Sequence, residues 1–203
     1  MDRIQAIIFD FGRVLCDFDI HRFFRRAAAF STLPPGALAS LMNSATDVAN
    51  RYETGLITSD EFYEAVCRLA SLRMPKDEFV AAYTDIFTPI PASFELLRRL
   101  KPRYRLALLS NTSAWHFEHG IRPVAVFPLF DAVTLSYEVG AMKPDPRMYR
   151  DALRKLQLPA SACAYIDDLR ENVEAGRALG LHALHYTSHE ALVSDLRSLG
   201  IEQ

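Results

Sequence analysis

Apolar residues fall along the chain in two textures. Ala6 to Phe9 is a short unbroken apolar run that stops at Asp10 and Gly12. It predicts a strand buried on both faces, as inside a parallel sheet. Beyond it the period lengthens. Ile20, Phe23, Phe24, Ala27 and Ala28 fall at i, i+3, i+4, i+7 and i+8, one face of a helix, and Arg22, Arg25 and Arg26 lie opposite as a solvated face. Pro34-Pro35-Gly36 breaks the chain; Leu38, Leu41 and Met42 suggest a short second helix, and a third ends near Glu53 with Gly55 behind it. Thr58 and Glu61 form a capping box for a helix carrying Phe62, Ala65, Val66 and Leu69 on one face. Phe79, Val80, Tyr83 and Ile86 repeat the pattern before Pro89 and Pro91. Residues 20–88 therefore read as nearly all helix, with no strand among them.

From there strand and helix alternate. Helix Ser93–Leu100 precedes strand Arg105–Leu109, which ends at Ser110-Asn111. Helical residues follow, then strand Phe130–Thr134. Asp145-Pro146 opens a helix with Tyr149, Ala152, Leu153 and Leu156 inward, an Asp cap with Pro at the first helical position. Strand Ala162–Ile166 ends at Asp167-Asp168, a helix with Val173 and Leu179 follows, and then strand Leu181–Tyr186 and a last helix. Such alternation implies right-handed crossovers. The expected fold is α/β, a Rossmann-like parallel sheet with helices on both faces. A helical segment, 18–89, is inserted after the first strand, leaving 1–17 and 90–203 as the core domain.

Composition narrows the class. A chain of 203 residues, half of them hydrophobic, can bury a core without a metal or disulfide staple. A formal charge of −2 offers no attraction to nucleic acid or to an anionic membrane. Cys16, Cys67 and Cys163 are scattered, with no C-x-x-C pair, which argues for a reducing compartment and against zinc. The first strand follows Met-Asp-Arg directly and no apolar run approaches the ~20 residues of a membrane span, so the expectation is a cytoplasmic protein without signal peptide.

The candidate chemistry lies where buried strands end in polar residues: Asp10, Ser110-Asn111 and Asp167-Asp168, with Lys143 in a loop after the third strand of the sheet. Each alone reads as a turn, a cap or a surface group. Parallel strands, however, carry all their carboxyl ends to one edge, where the groups can converge. Adjacent carboxylates suit a hard cation such as Mg²⁺. A carboxylate nucleophile, donors for anionic oxygens, a cation and a metal site together suit phosphoryl transfer.

With these motifs in this order, the sequence resembles the haloacid dehalogenase (HAD) superfamily over essentially its whole length. Asp10 matches the nucleophile of the first motif, Ser110 the hydroxyl of the second and Lys143 the lysine of the third. Asp167-Asp168 with Asn172 matches the acidic fourth, and the helical insert matches a small cap. The stretches around Asp10–Asp19, Ser110–His116 and Lys143–Tyr149 are similar to the branch holding the epoxide hydrolase N-terminal phosphatase domain and bacterial sugar-1-phosphate phosphatases. The resemblance implies a Mg²⁺-dependent phosphatase of small phosphorylated metabolites, acting as a monomer or dimer. Asp10 would form an aspartyl-phosphate, Ser110, Asn111 and Lys143 would hold phosphoryl oxygens, and Asp10, the Gly12 carbonyl and Asp168 would bind the metal, with Asp167 a further ligand or a partner behind the ligands. One departure stands out. Most superfamily phosphatases carry a second Asp two residues after the nucleophile as general acid and base, and here that residue is Gly12. Two alternatives follow: a metal-independent 2-haloacid dehalogenase, which the acidic pair disfavours, and an inactive binding module, for which Gly12 is the argument. His116 and His119 are expected to pack or face solvent, Trp115 to contact core or cap, and Arg51, Tyr52 and the loop to Gly55 to line the pocket from the insert.

Overall fold

In the computed structural model, residues 3–34, 37, 40, 41 and 46–202 are described. Five strands form the sheet: β1 (Ala6–Phe9), β4 (Arg105–Ser110), β5 (Ala132–Leu135), β6 (Cys163–Asp167) and β7 (His182–His185). Their order is β5-β4-β1-β6-β7, and every neighbouring pair is parallel. The first strand is therefore central, and the α/β sheet expected from the sequence is the observed one.

Strand alternation sorts the core. Ile7 and Phe9 point to one face and pack with Leu106, Leu108 and Ile166, beneath α5 (Pro91–Leu100) and α9 (His189–Ser198). Ala6 and Ile8 point to the other, with Leu109 and Tyr165, against Met148, Tyr149 and Ala152 of α7 (Pro146–Leu156) and Val173 of α8 (Arg170–Ala178). Each large side chain buried this way contributes about 1.5–3 kcal/mol. Asp145 caps α7 as expected, its Oδ1 accepting from Arg147 N at 2.8 Å. The third strand of the sheet sits one to two residues later than its apolar run suggested. A four-residue helix, α6 (Ser136–Val139), follows it.

The insert comprises α1 (His21–Ala27), α2 (Thr46–Glu53), α3 (Ser59–Leu69) and α4 (Lys76–Thr84). Of the short helix expected around Leu38, Leu41 and Met42, Leu38 and Met42 lie outside the described residues. The capping box of α3 is present: Thr58 Oγ1 accepts from Glu61 N at 3.2 Å, and Glu61 Oε2 accepts from Thr58 N at 2.7 Å. The expectation of no strand within 20–88 needs correction. A ribbon of β2 (Cys16–Phe18) and β3 (Phe87–Pro89) pairs antiparallel where the chain enters and leaves the insert. Three-residue strands give no readable alternation, and the Pro89 end masked the second. The arginines of α1 serve the same junction: Arg22 donates to Thr88 Oγ1, while Arg25 and Arg26 pair with Asp19 and Asp85.

Phe23, Phe62, Phe79 and Tyr83 make the insert's own aromatic core. Among the contacts that dock it on the sheet domain, two stand at α2. Gly55, at φ +68°, lies so close that a Cβ there would stand 2.2 Å from the Tyr137 carbonyl oxygen, so no other residue allows that approach. A π-helical turn, His116–Ile121, follows β4, and at its entry Trp115 N donates to Tyr52 Oη at 3.1 Å. No helix among the described residues is long and apolar enough to cross a membrane.

Candidate active site

Register places the chemistry. Phe9 pairs with Leu108 on one side and Ile166 on the other, so Asp10 emerges level with Leu109 and Asp167, and Ser110 one step beyond. Into this edge comes Lys143, its side chain only 2% exposed. Its ammonium donates to Asp10 Oδ1 at 2.6 Å, to Asp167 Oδ2 at 2.7 Å and to the Leu109 carbonyl at 3.0 Å. All three of its hydrogens are thereby used. Burial alone would lower the lysine's pKa, and the two carboxylates outweigh it and raise it. Burial pushes the Asp10 carboxyl up to about 6, against the pull of Lys143 and with a further push from Asp167.

Asp167 is fully occupied. Beside Lys143 it accepts from Tyr165 Oη, Leu169 N at 2.8 Å and Asn172 Nδ2 at 3.0 Å. Four donors fill the lone-pair sites of one carboxylate. Asp168 differs: no side chain among the described residues donates to its carboxylate, and burial, with Asp167 next to it, raises its pKa. Ligand oxygens of Asp10, Asp167 and Asp168 lie within 4.8 Å of one another. Asp10, Asp168 and Gly12 line one cleft of about 300 Å³ together with Arg13, Phe18 and Asn111. An all-oxygen donor set with two carboxylates open to the cleft fits a hard divalent cation.

Ser110 and Asn111 part company. Ser110 Oγ is buried with only a long contact of 3.4 Å to the Asn111 carbonyl, which leaves its hydroxyl available. The Asn111 side chain is committed elsewhere: Nδ2 donates to Lys143 O at 3.1 Å, and Oδ1 accepts from Lys143 N at 2.7 Å. It clasps the lysine's backbone with one of the two Nδ2 hydrogens, and the second stays available to an anion in the cleft that Asn111 lines.

Several residues at the site carry weight that the sequence reading did not assign. Tyr165 could have been found, because a residue two before Asp167 on a strand shares its face. Phe18 fills the space beside Gly12: a Cβ on Gly12 would meet the Phe18 ring at 3.3 Å and stand 4.0 Å from Asp10 Oδ2. Of the stretch from Arg51 to Gly55 expected at the pocket wall, Glu53 is there and Arg51 and Tyr52 are not. Tyr52 turns inward, its Oη 2.7 Å from Ser59 Oγ and its ring stacked on Phe62. Glu53 was signalled by its place at i+4 from Ala49 on the inner face of α2. Burial pushes its carboxyl up to about 7. Trp115 joins the aromatic core of the insert. His116 is buried, stacked 4.0 Å from Tyr83, and donates from Nε2 to the Tyr83 carbonyl at 3.0 Å; burial holds it neutral, with its pKa down to about 4. His119 is exposed.

A carboxylate seated beside a buried lysine at the carboxyl edge of a parallel sheet is the arrangement of an α/β enzyme. The chain belongs to the haloacid dehalogenase-like hydrolase family, which it matches over residues 4–180. It is accordingly a hydrolase. It is 29% identical over 200 residues to the sesquiterpene phosphatase astK of Aspergillus oryzae, with 96% of each chain covered. It is 25% identical over 188 residues to the D-ribitol-5-phosphate phosphatase of Bacteroides thetaiotaomicron, covering 87% of this chain and 89% of that one. Among solved structures, the HAD family enzyme bt-2542 of B. thetaiotaomicron, in complex with magnesium and inorganic phosphate, superposes with a TM-score of 0.76. It is 21% identical, with 91% of this chain and 94% of that chain covered, and so bears on the fold.

Proposed function

We propose that the protein is a Mg²⁺-dependent phosphatase of small phosphomonoesters, working through an aspartyl-phosphate on Asp10. The observation that carries this reading is the division of labour among the carboxylates. Asp10 and Asp168 open to the cleft, while Asp167 is spent on Lys143, Tyr165 and Asn172. Asp167 thus fixes the lysine rather than ligating a metal directly. Asp10, Asp168 and the Gly12 carbonyl would hold Mg²⁺, which when bound offsets the charge of a phosphoryl group.

The chain's own groups supply the remaining chemistry. Asp10 attacks phosphorus, the ester P–O bond breaks, and the alcohol oxygen takes its proton from solvent because Gly12 has no side chain to give one. Lys143 keeps Asp10 ionised and aimed. Ser110 Oγ and Asn111 donate to phosphoryl oxygens. Water then attacks the phosphorus of the aspartyl-phosphate, which frees the carboxylate and inorganic phosphate. The insert, residues 18–89, acts as the cap that walls the substrate in. Both relatives named above are phosphatases, which supports the class of reaction.

Phosphate release from p-nitrophenyl phosphate tests this reading. Turnover is expected with Mg²⁺ and none with EDTA. Asp168→Asn should raise the half-activating Mg²⁺ concentration by at least the 10–100-fold that loss of an outer hydrogen-bond partner costs a metal site. An unchanged Mg²⁺ dependence moves the metal elsewhere, and chloride release from 2-chloropropionate in place of phosphate release assigns a dehalogenase.

A further inference from the structure

A second cavity opens beside the Asp10 cleft, and its chemistry differs. The two share Gly12, Phe18 and Asn111, so they adjoin there, and a group esterified to a phosphate at Asp10 would enter the second space across this shared wall. That space measures about 320 Å³, at the lower end for small-molecule pockets. Its walls are mostly apolar side chains of the insert and its ribbon, among them Phe18, Ile20, Phe24, Val48, Phe62 and Ile86. No Lys or Arg lines it among the described residues, so a second phosphate, a nucleotide diphosphate or a carboxylate finds no counter-charge there.

Its polar groups offer little to a polyol. The Nε2 of His116 is committed to the Tyr83 carbonyl, and its ring lies flat on Tyr83. Ser110, Asn111 and Thr112 sit at the floor, beside the phosphoryl end; Thr112 N is held by Ser136 Oγ and its carbonyl accepts from the same hydroxyl. On the insert side Glu53 is the one ionisable carboxyl in the wall among the described residues, and burial favours its neutral form. A sugar or sugar-alcohol phosphate would bury four or more hydroxyls against hydrocarbon, each stripped of its water. A hydrocarbon tail loses nothing there and gains contact along its length.

Resting on the phosphatase reading above, we infer that the substrate is the phosphate monoester of an aliphatic alcohol, a hydrocarbon tail without further hydroxyls, rather than a sugar phosphate. The tail lies in the second cavity and the phosphate in the first, and Phe18 stands at the junction as the residue that reads the first carbons.

The test compares kcat/KM of the purified full chain with Mg²⁺ on ethyl, butyl, pentyl, hexyl and octyl phosphates and on D-ribitol 5-phosphate. Primary alkyl alcohols leave with nearly equal ease, so the alkyl series reads the tail and not the chemistry. Each added methylene should raise kcat/KM by about fourfold until the cavity is full. Pentyl phosphate and D-ribitol 5-phosphate have five carbons each and differ in four hydroxyls. The hydroxyls make the polyol the better leaving group, yet pentyl phosphate should win by about 10²-fold, the scale on which pockets of this kind discriminate. Phe18→Ser changes a residue that is 44% exposed and so leaves the fold intact. It should shrink the octyl-to-ethyl ratio by tenfold or more. A flat chain-length series, or D-ribitol 5-phosphate equal to or better than pentyl phosphate, overturns the inference and leaves the phosphatase standing. If none of these esters nor p-nitrophenyl phosphate is hydrolysed, the phosphatase reading falls, and this inference falls with it.

Discussion

Across the cleft, the sheet edge and the helical insert solve opposite problems. At the edge, charge is concentrated and almost every polar atom has a partner: Lys143 spends its three hydrogens, Asp167 its four lone-pair sites, and Asn111 bonds through both ends of its amide. Such a network is held in one geometry, because any displaced member leaves a buried group unpaired. The insert is built from rings, with Phe23, Phe62, Phe79 and Tyr83 in mutual contact, and hydrocarbon packing tolerates changes of shape. The rigid half fits the reaction, and the adaptable half fits the choice of substrate.

The largest expected effect strikes the rigid half. Asp10→Asn keeps nearly the same shape but has no nucleophilic oxygen, and Lys143 remains paired with Asp167. Phosphate release should fall by about 10⁴ or more, the scale of deleting a covalent nucleophile, while the thermal midpoint stays close to wild type. Near-normal turnover by the pure variant would remove the mechanism.

Next comes the lysine. Lys143→Met leaves Asp10 and Asp167 side by side without a cation, at 12% and 0% side-chain exposure. Removing one partner from such a buried cluster costs about 3–5 kcal/mol. Urea denaturation should read this loss directly; a variant as stable as wild type would mean that the network does not hold the edge.

The difference between the halves also governs what the sequence could reveal. Asp10, Ser110, Asp167 and Asp168 stood out because a carboxylate or hydroxyl at the end of a buried apolar run is conspicuous, and parallel strands bring such ends together. Lys143 carried the weakest signal, since a loop lysine alone reads as a surface group; it counted because it follows the third strand and so falls at the same edge. The clasp of Asn111 on the backbone of Lys143 spans 32 residues and is invisible to any local pattern. In the insert, periodicity gave the helices but not which ring faces the cavity. Arg51, Tyr52 and the loop to Gly55 were expected at the wall, and of that stretch Glu53 lies there while Tyr52 turns away, because adjoining positions point about 100° apart on a helix. The ribbon at the junction was missed for want of length.

A third prediction probes the insert through pH. Glu53 has an ordinary pKa of 4.5 and is pushed up to about 7 in the fold. Below 4.5 it is protonated in both states and costs nothing. As pH rises through 4.5 to 7 the unfolded chain gives up the proton first, so stability falls, and above 7 the deficit is constant. His116, pushed from 6.5 down to about 4, acts in the other sense: stability rises with pH across that window. The two slopes oppose one another in wild type. Glu53→Gln removes one of them, so the variant should match wild type at pH 4.5 and exceed it at pH 8, by at most about 3 kcal/mol. Unfolding curves at the two pH values check this, and an equal difference at both would show that Glu53 does not hold its proton in the fold.

The smallest effect concerns the missing acid, where the two halves meet. In phosphoryl transfer, negative charge grows on the departing oxygen, and a positioned carboxylic acid is worth about 10²–10⁴ in rate. Gly12 cannot supply one. Asp17 and Asp19, the nearest acids in sequence, line neither cavity: Asp17 is exposed on β2, and Asp19 Oδ1 caps α1 by accepting from His21 N at 2.9 Å. Phe18 occupies the room beside Gly12 instead. The enzyme then works without the acid, and aryl phosphates, which need little protonation to leave, should be cleaved far faster than alkyl phosphates. Asp17→Asn and Asp19→Asn should leave that steepness unchanged. Gly12→Asp must shift the Phe18 ring by a few tenths of an ångström, which a ring 44% exposed can do. Its new carboxyl should flatten the dependence by about tenfold or less, well short of an evolved acid. Rates on a series of esters of graded leaving-group acidity, with chemistry rate-limiting, read the slope. A wild-type slope already flat, turning steep only in Glu53→Gln, would place the acid in the insert and break the division between the two halves.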